Sequence, residues 1–148
     1  MTKKLITLFI FSALTSGILV GCGASEMKDG TYTAEDLNYD DHGWKASVTI
    51  NVSSGKISDV KFDYTKEDGS TKSNNPEYGQ KMLSEVGITP DEYMKEYEKS
   101  LIQTQNPEKV EVISGATVSL SDFKSLAKAA MDASLSGNTN TVTVELIK

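Results

Sequence analysis

From Trp44 to Val52 apolar and polar residues alternate without a break, with Trp44, Ala46, Val48, Ile50 and Val52 on one side and Lys45, Ser47, Thr49 and Asn51 on the other. A period of two is that of a half-buried strand. Ser53-Ser54-Gly55 turns the chain into a second alternating stretch, where Val60, Phe62 and Tyr64 are separated by Lys61 and Asp63. Ile57 is out of phase, which predicts a hairpin carrying a bulge. An earlier short strand is expected around Thr31 to Thr33, between the Asp29-Gly30 turn and the break at Asp40 to Gly43. The period then changes. Asn75-Pro76 fits an N-cap followed by Pro at N1, and Tyr78, Met82 and Val86 recur four apart before Gly87 stops a short helix. Thr89-Pro90-Asp91-Glu92 reads as a capping box, after which Tyr93, Met94, Tyr97, Leu101 and Ile102 line one side of a helix until Asn106-Pro107 ends it. Val110 to Ile113 reads as a short strand. Leu120, Phe123, Ala127, Ala130 and Met131 mark a third helix that starts near Ser119 and Asp122 and stops at Gly137, and Val142, Val144 and Leu146 close the chain as a strand. Strands grouped early, helices in the middle and a returning strand predict an α+β fold, an antiparallel sheet with helices packed on it.

Ahead of all this, Lys3 and Lys4 precede a nearly uninterrupted apolar run from Leu5 to Val20. A basic start, an apolar middle and small residues at the cut make a secretory signal. The ending Leu19-Val20-Gly21-Cys22 resembles the bacterial lipobox, in which the Cys takes a diacylglyceryl thioether and becomes the new amino terminus. The alternative is an uncleaved anchor, for which sixteen residues are slightly short. The expected layout is a lipoprotein signal peptide over 1–21, a lipid-anchored linker over 22–29 and one domain over 30–148, a length that suits a single domain. Seven linker residues reach about 25 Å at most, so the domain is expected to work close to the membrane face.

Charge and composition narrow the chemistry. All 15 basic residues are Lys, set against 21 acids for a net charge of -6. Removing residues 1–21 takes away two Lys and no acid, leaving -8. Such a balance disfavours nucleic acid, whose phosphates call for a basic patch. One Cys and one His allow no intrachain disulfide, no zinc site of the Cys and His type and no serine relay with a spare histidine. Asp36, Asp40, Asp41 and His42 fit no metal-binding loop, so no metal is expected.

Ser114-Gly115-Ala116-Thr117 is a small-residue loop running into a helix start, where backbone amides and the helix dipole favour an anion. On spacing alone an ordinary tight connection is the plainer reading. Glu111, two apolar residues and then Ser-Gly-Ala-Thr, in an exported domain opening near Asp-Gly-Thr-Tyr, resembles the FMN-binding domain of the covalent flavoproteins. These include the flavin subunits of the sodium-pumping NADH:quinone reductase and the flavin lipoproteins of Gram-positive extracellular electron transfer. The resemblance runs over about residues 29–135, and Tyr39 to Lys45 also resembles the lipoprotein branch. Glu111 stands where the family has Asp, and Val112 where Gly is frequent.

The resemblance implies FMN joined to Thr117 by a phosphoester, with Ser114, Gly115, Ala116 and Glu111 around it. A threonine hydroxyl is a poor nucleophile without a base, and the one His is remote in sequence, so a separate enzyme is expected; the resemblance implies a flavin transferase that takes the FMN moiety from FAD with Mg²⁺. For the ring, Trp44 is the first stacking candidate, with Tyr78 and His42 behind it; Trp44 opening the buried face of its strand, and His42 as a solvated turn residue, are the plainer readings. Tyr93, Met94 and Tyr97 read as core. The implied role is an electron carrier on the extracytoplasmic face of the cell membrane, between a membrane quinol or NADH dehydrogenase and an extracellular acceptor. With no Arg to neutralise a reduced flavin and Glu111 in the motif, electrostatics are expected to favour the oxidised form. The competing readings are an unflavinylated surface lipoprotein that binds a ligand or acts as an adhesin, and a signalling role for the released signal fragment.

Overall fold

The computed structural model describes residues 25–147, so Cys22 and the apolar run before it lie outside the described residues. The early strands are β1 (Gly30–Asp36), β2 (Lys45–Ser53) and β3 (Lys56–Thr65). β2 pairs antiparallel with both neighbours, and the bulge falls where Asn51 faces Asp59 while Val52 faces Ile57. Ser58 is the extra residue, and its hydroxyl donates to the carbonyl of Asn51 at 3.1 Å. Trp44 stands one residue ahead of β2. Its side, with Ala46, Val48, Ile50 and Val52, is buried as the alternation requires.

The helices are α1 (Pro76–Val86), α2 (Pro90–Thr104) and α3 (Thr117–Ser136), and a last strand β4 (Val142–Val144) completes a sheet in the order β3-β2-β1-β4. The local signals for the first two helices are realised. The Asn75 side chain accepts from the Tyr78 amide and Gly87 ends α1 in the left-handed region, while Thr89 and Glu92 make both bonds of the capping box on α2. α2 packs on β3, and α3 on β1 and β2. Phe62, Tyr97 and Phe123 meet where these layers touch, with ring centroids 5.1 and 5.7 Å apart.

The structure differs from the sequence reading in three places. β4 pairs parallel with β1, because the chain returns through α3 and so re-enters beside β1 in the same direction; Leu146 is buried beyond its end. Val110 to Ile113 is irregular and follows a 3-10 turn at Pro107–Lys109. The Val110 amide donates to the Pro107 carbonyl of that turn and the Ile113 amide to a tyrosine hydroxyl, so neither is given to a ladder. Finally, α3 begins at Thr117, since Ser119 and Asp122 spend their side chains on tertiary partners instead of capping.

Two side chains, Glu98 of α2 and Gln105 at its C-cap, cover part of the open edge of β3. Glu98 accepts from the Phe62 amide at 2.7 Å, and the Gln105 amide group both accepts from and donates to the backbone of Ile57. An edge strand with these groups occupied offers less of a template for a second chain. Ahead of β1, the Lys28 amide donates to the Ser134 carbonyl and Asp29 accepts from Gly55, so this stretch is tied to the body.

Candidate functional site

The start of α3 is built from a loop that only Gly115 permits. Its φ is +85°, and a Cβ there would lie 2.7 Å from the Val86 side chain at the end of α1. Ala116 precedes the helix with φ -126° and ψ 28°, supplies no side-chain cap, and no acidic residue follows in the first turn. Thr117 therefore sits at the first helical position, exposed, beside backbone amides that neither a cap nor a carboxylate compensates. Such a helix start favours an anion. Ser114 and Glu111 are exposed, whereas Ala116 is buried.

Tyrosine hydroxyls from the core hold this start in place. Tyr97 of α2 donates to the Ala116 carbonyl at 3.0 Å and accepts from the Ile113 amide, so it clamps the loop from below. The Ser119 hydroxyl donates to that of Tyr93 at 3.1 Å, and Tyr64 donates to Asp122 at 2.8 Å. Burial raises the pKa of all three phenols, foremost at Tyr64, where the Asp122 charge adds to it. Sequence reasoning placed Tyr93 and Tyr97 in the core, where they are, and missed what their hydroxyls do. The available signal was Tyr in a stripe where Phe would fill the same volume, because a buried phenol needs a partner.

Against the loop lies a cleft of about 590 Å³, lined by Gly115, Val86, Met82, Tyr78, Trp44, His42 and Lys66 among others. Its volume is in the range of small-molecule sites, about 300–1,000 Å³. α1 forms one wall and contributes no buried residue. Trp44, Tyr78 and His42 thus come together on one cleft with Gly115. Trp44 is only 4% exposed and carries the Lys66 ammonium 4.6 Å from its ring centroid. His42 lies in an exposed turn that Asp40 organises by accepting from the amides of His42 and Trp44. Tyr78 is more exposed, and partial burial together with Asp40 and Glu85 raises its pKa. An aromatic cleft, a glycine that allows close approach and an uncapped helix start suit a planar ring carrying a phosphate. The residues present therefore fit FMN.

A family model described as FMN-binding domain matches residues 42–132. A 15 kDa lipoprotein of Treponema pallidum (strain Nichols) is 34% identical over 126 residues, which cover 84% of this chain and 89% of that protein. A crystal structure of a Clostridium perfringens protein aligns with a TM-score of 0.78 at 39% identity, over 82% of this chain and 99% of the other. A solution structure of a Clostridium thermocellum protein aligns at 0.50 and 31% identity, over 72% and 91% of the two chains.

Proposed function

Because the chain belongs to the FMN-binding domain family, we propose that it is a lipid-anchored flavoprotein which holds FMN covalently on Thr117 and carries electrons beside the membrane. The observation that carries the reading is the start of α3, with a threonine at the first helical position, no cap, no acid, and the cleft alongside. Attachment forms a bond from the Thr117 oxygen to the FMN phosphorus of FAD and breaks the pyrophosphate, releasing AMP; the hydroxyl proton leaves to a base on a separate flavin transferase using Mg²⁺. The phosphodiester then brings one negative charge to the amides of Thr117, Val118 and Ser119, worth about 0.3–1 kcal/mol from the dipole. Bound FMN supplies one- and two-electron chemistry. The chain's own part is to position it: Gly115 lets the backbone approach, Tyr97 fixes the loop, and Trp44 and Tyr78 form the aromatic wall.

Cys22 is the lipid attachment point in this reading, supported by the lipobox-like sequence and by the name of the treponemal relative. With Lys28 and Asp29 bonded to the domain, the tether is shorter than seven residues. A membrane quinol or NADH dehydrogenase can then be met repeatedly as donor, and an extracellular acceptor takes the electrons. Co-expression with a flavin transferase should add the mass of FMN less one water and a yellow colour that survives denaturation, both lost in Thr117→Ala. An adduct on the alanine variant would move the site elsewhere, and a colourless wild-type chain would favour a ligand-binding or adhesive lipoprotein. Reduced flavoprotein should be reoxidised rapidly by soluble ferric compounds; saturable turnover of an organic substrate with no electrons reaching iron would make it an enzyme instead. Cys22→Ser should leave the membrane fraction.

A further inference from the structure

Lys72 is the one lysine buried among the described residues, 8% exposed. The chain beyond β3 puts it there. Thr65 bridges Thr71 across a tight turn, the Lys72 amide donates to the Tyr64 carbonyl at 2.9 Å, and Asp63 accepts from both the amide and the hydroxyl of Ser73. The turn thus returns Lys72 beside the wall of the cleft. Its ammonium lies 3.9 Å from the ring centroid of Tyr64, 5.2 Å from Tyr78 and 5.7 Å from Trp44. Two of these three rings, Trp44 and Tyr78, line the cleft. Cation and ring faces attract one another, more strongly where water is excluded.

We propose that Lys72, boxed by Tyr64, Trp44 and Tyr78, is a buried positive charge behind the cleft wall that raises the preference for the reduced, anionic flavin against the carboxylates around it. This rests on the flavin reading above. The carboxylates of Asp40, Asp122 and Asp63 act electrostatically on the same ammonium. Removing the lysine leaves those three charges without it, and the cleft turns further against added negative charge. Burial lowers the Lys72 pKa while the three carboxylates oppose that shift. Lys66, 4.6 Å from the Trp44 ring centroid, adds to the same field from a more solvated position, and Lys81, Glu77 and Glu85 also line the cleft. The expectation from composition, that a chain without Arg favours the oxidised form, is opposed at the site by this buried charge.

The test is the midpoint potential of the flavinylated chain, measured by spectroscopic titration against dyes of known potential. A unit charge about 10 Å away in a medium of effective dielectric near 20 changes an equilibrium by roughly tenfold. Lys72→Met should therefore lower the preference for the reduced form about tenfold, or about 30 mV for a two-electron couple, and Lys72→Arg should restore it. Asp122→Asn should move the potential the opposite way, since its carbonyl can still accept from Tyr64 while one negative charge is gone. If Lys72→Met does not fold, Lys66→Met, on a partly solvated side chain, should give a smaller shift of the same sign. Flavinylated variants with unmoved potentials overturn the assignment to Lys72 alone. A wild-type chain that gains no adduct overturns the flavin reading and this inference together.

Discussion

α2 starts with its backbone donors occupied: the Thr89 side chain accepts from the Glu92 amide, the Glu92 carboxylate accepts from the Thr89 amide at 2.8 Å, and Asp91 and Glu92 put negative charge in the first turn. α3 has none of these, neither a capping side chain nor an acid. Both helices pack on the same sheet, and α3 is the longer, so general stability does not explain the contrast. The open start of α3 is the one the proposed phosphodiester would fill. The cleft lies at the open start, and α2 works behind it through the Tyr97 clamp. Stability is concentrated on the side that positions, and local rules are relaxed on the side that binds.

The most severe way to break the contrast is to force the loop before α3. Gly115→Ala would place a side chain at φ +85° and against Val86, at a cost of about 2–4 kcal/mol in urea unfolding. Adding Val86→Ala should recover the contact and leave about 1–2 kcal/mol for the dihedral. Recovery of the whole loss would show that the backbone carries no strain. Next in size, Tyr97→Phe removes the hydroxyl shared by Ile113 and Ala116 and should destabilise by about 1–2 kcal/mol. It should also slow flavinylation of Thr117, and an unchanged rate at equal folded fraction would separate the clamp from the site.

The two starts can then be compared directly. Thr89→Ala deletes a cap in use and should lower stability by about 1 kcal/mol. Thr117→Ala, made in the chain without flavin, should stay within about 0.5 kcal/mol of wild type. Thr117→Asp should stabilise that chain by about 0.3–1 kcal/mol by supplying the negative charge the helix lacks. Equal losses from both alanine variants would mean that α3 is capped after all.

What was legible in the sequence follows the range of the forces involved. The alternation of β2, the out-of-phase Ile57, the Asn75 cap, the capping box and the glycine stops act within a few residues, and all appear in the fold. The small-residue loop from Ser114 that leads into α3 was legible for the same reason. The clamp was not, because it joins Tyr97 to residues brought near only by the packing of α2 against the start of α3. Nor was the Lys72 box, which needs Tyr64, Trp44 and Tyr78 from three separate segments. The parallel pairing of β4 escaped because alternation reports a strand's faces and is silent on its direction.

The smallest effect tests whether the positioning side is charged by design or merely tolerates its charge. Glu98 lies half-buried on α2 and accepts from the edge amide of Phe62. Burial raises its pKa, outweighing the hydrogen bond and Lys61, with Asp59 and Asp63 pushing the same way. A carboxyl whose folded pKa is raised binds its proton more tightly in the native chain. Its contribution to stability is therefore fully present below the ordinary value of 4.5 and is lost as pH rises through the folded one. Glu98→Gln keeps an oxygen to accept from Phe62 and never ionises. The substitution should raise the urea midpoint at pH 7 by an amount equivalent to a few tenths of a kcal/mol, roughly, since solvent screens a half-exposed group. The gain should fade as pH falls toward 4. An equal gain at both pH values would assign it to packing, and a loss at pH 7 would show that the stronger acceptor, the carboxylate, is what keeps the β3 edge closed.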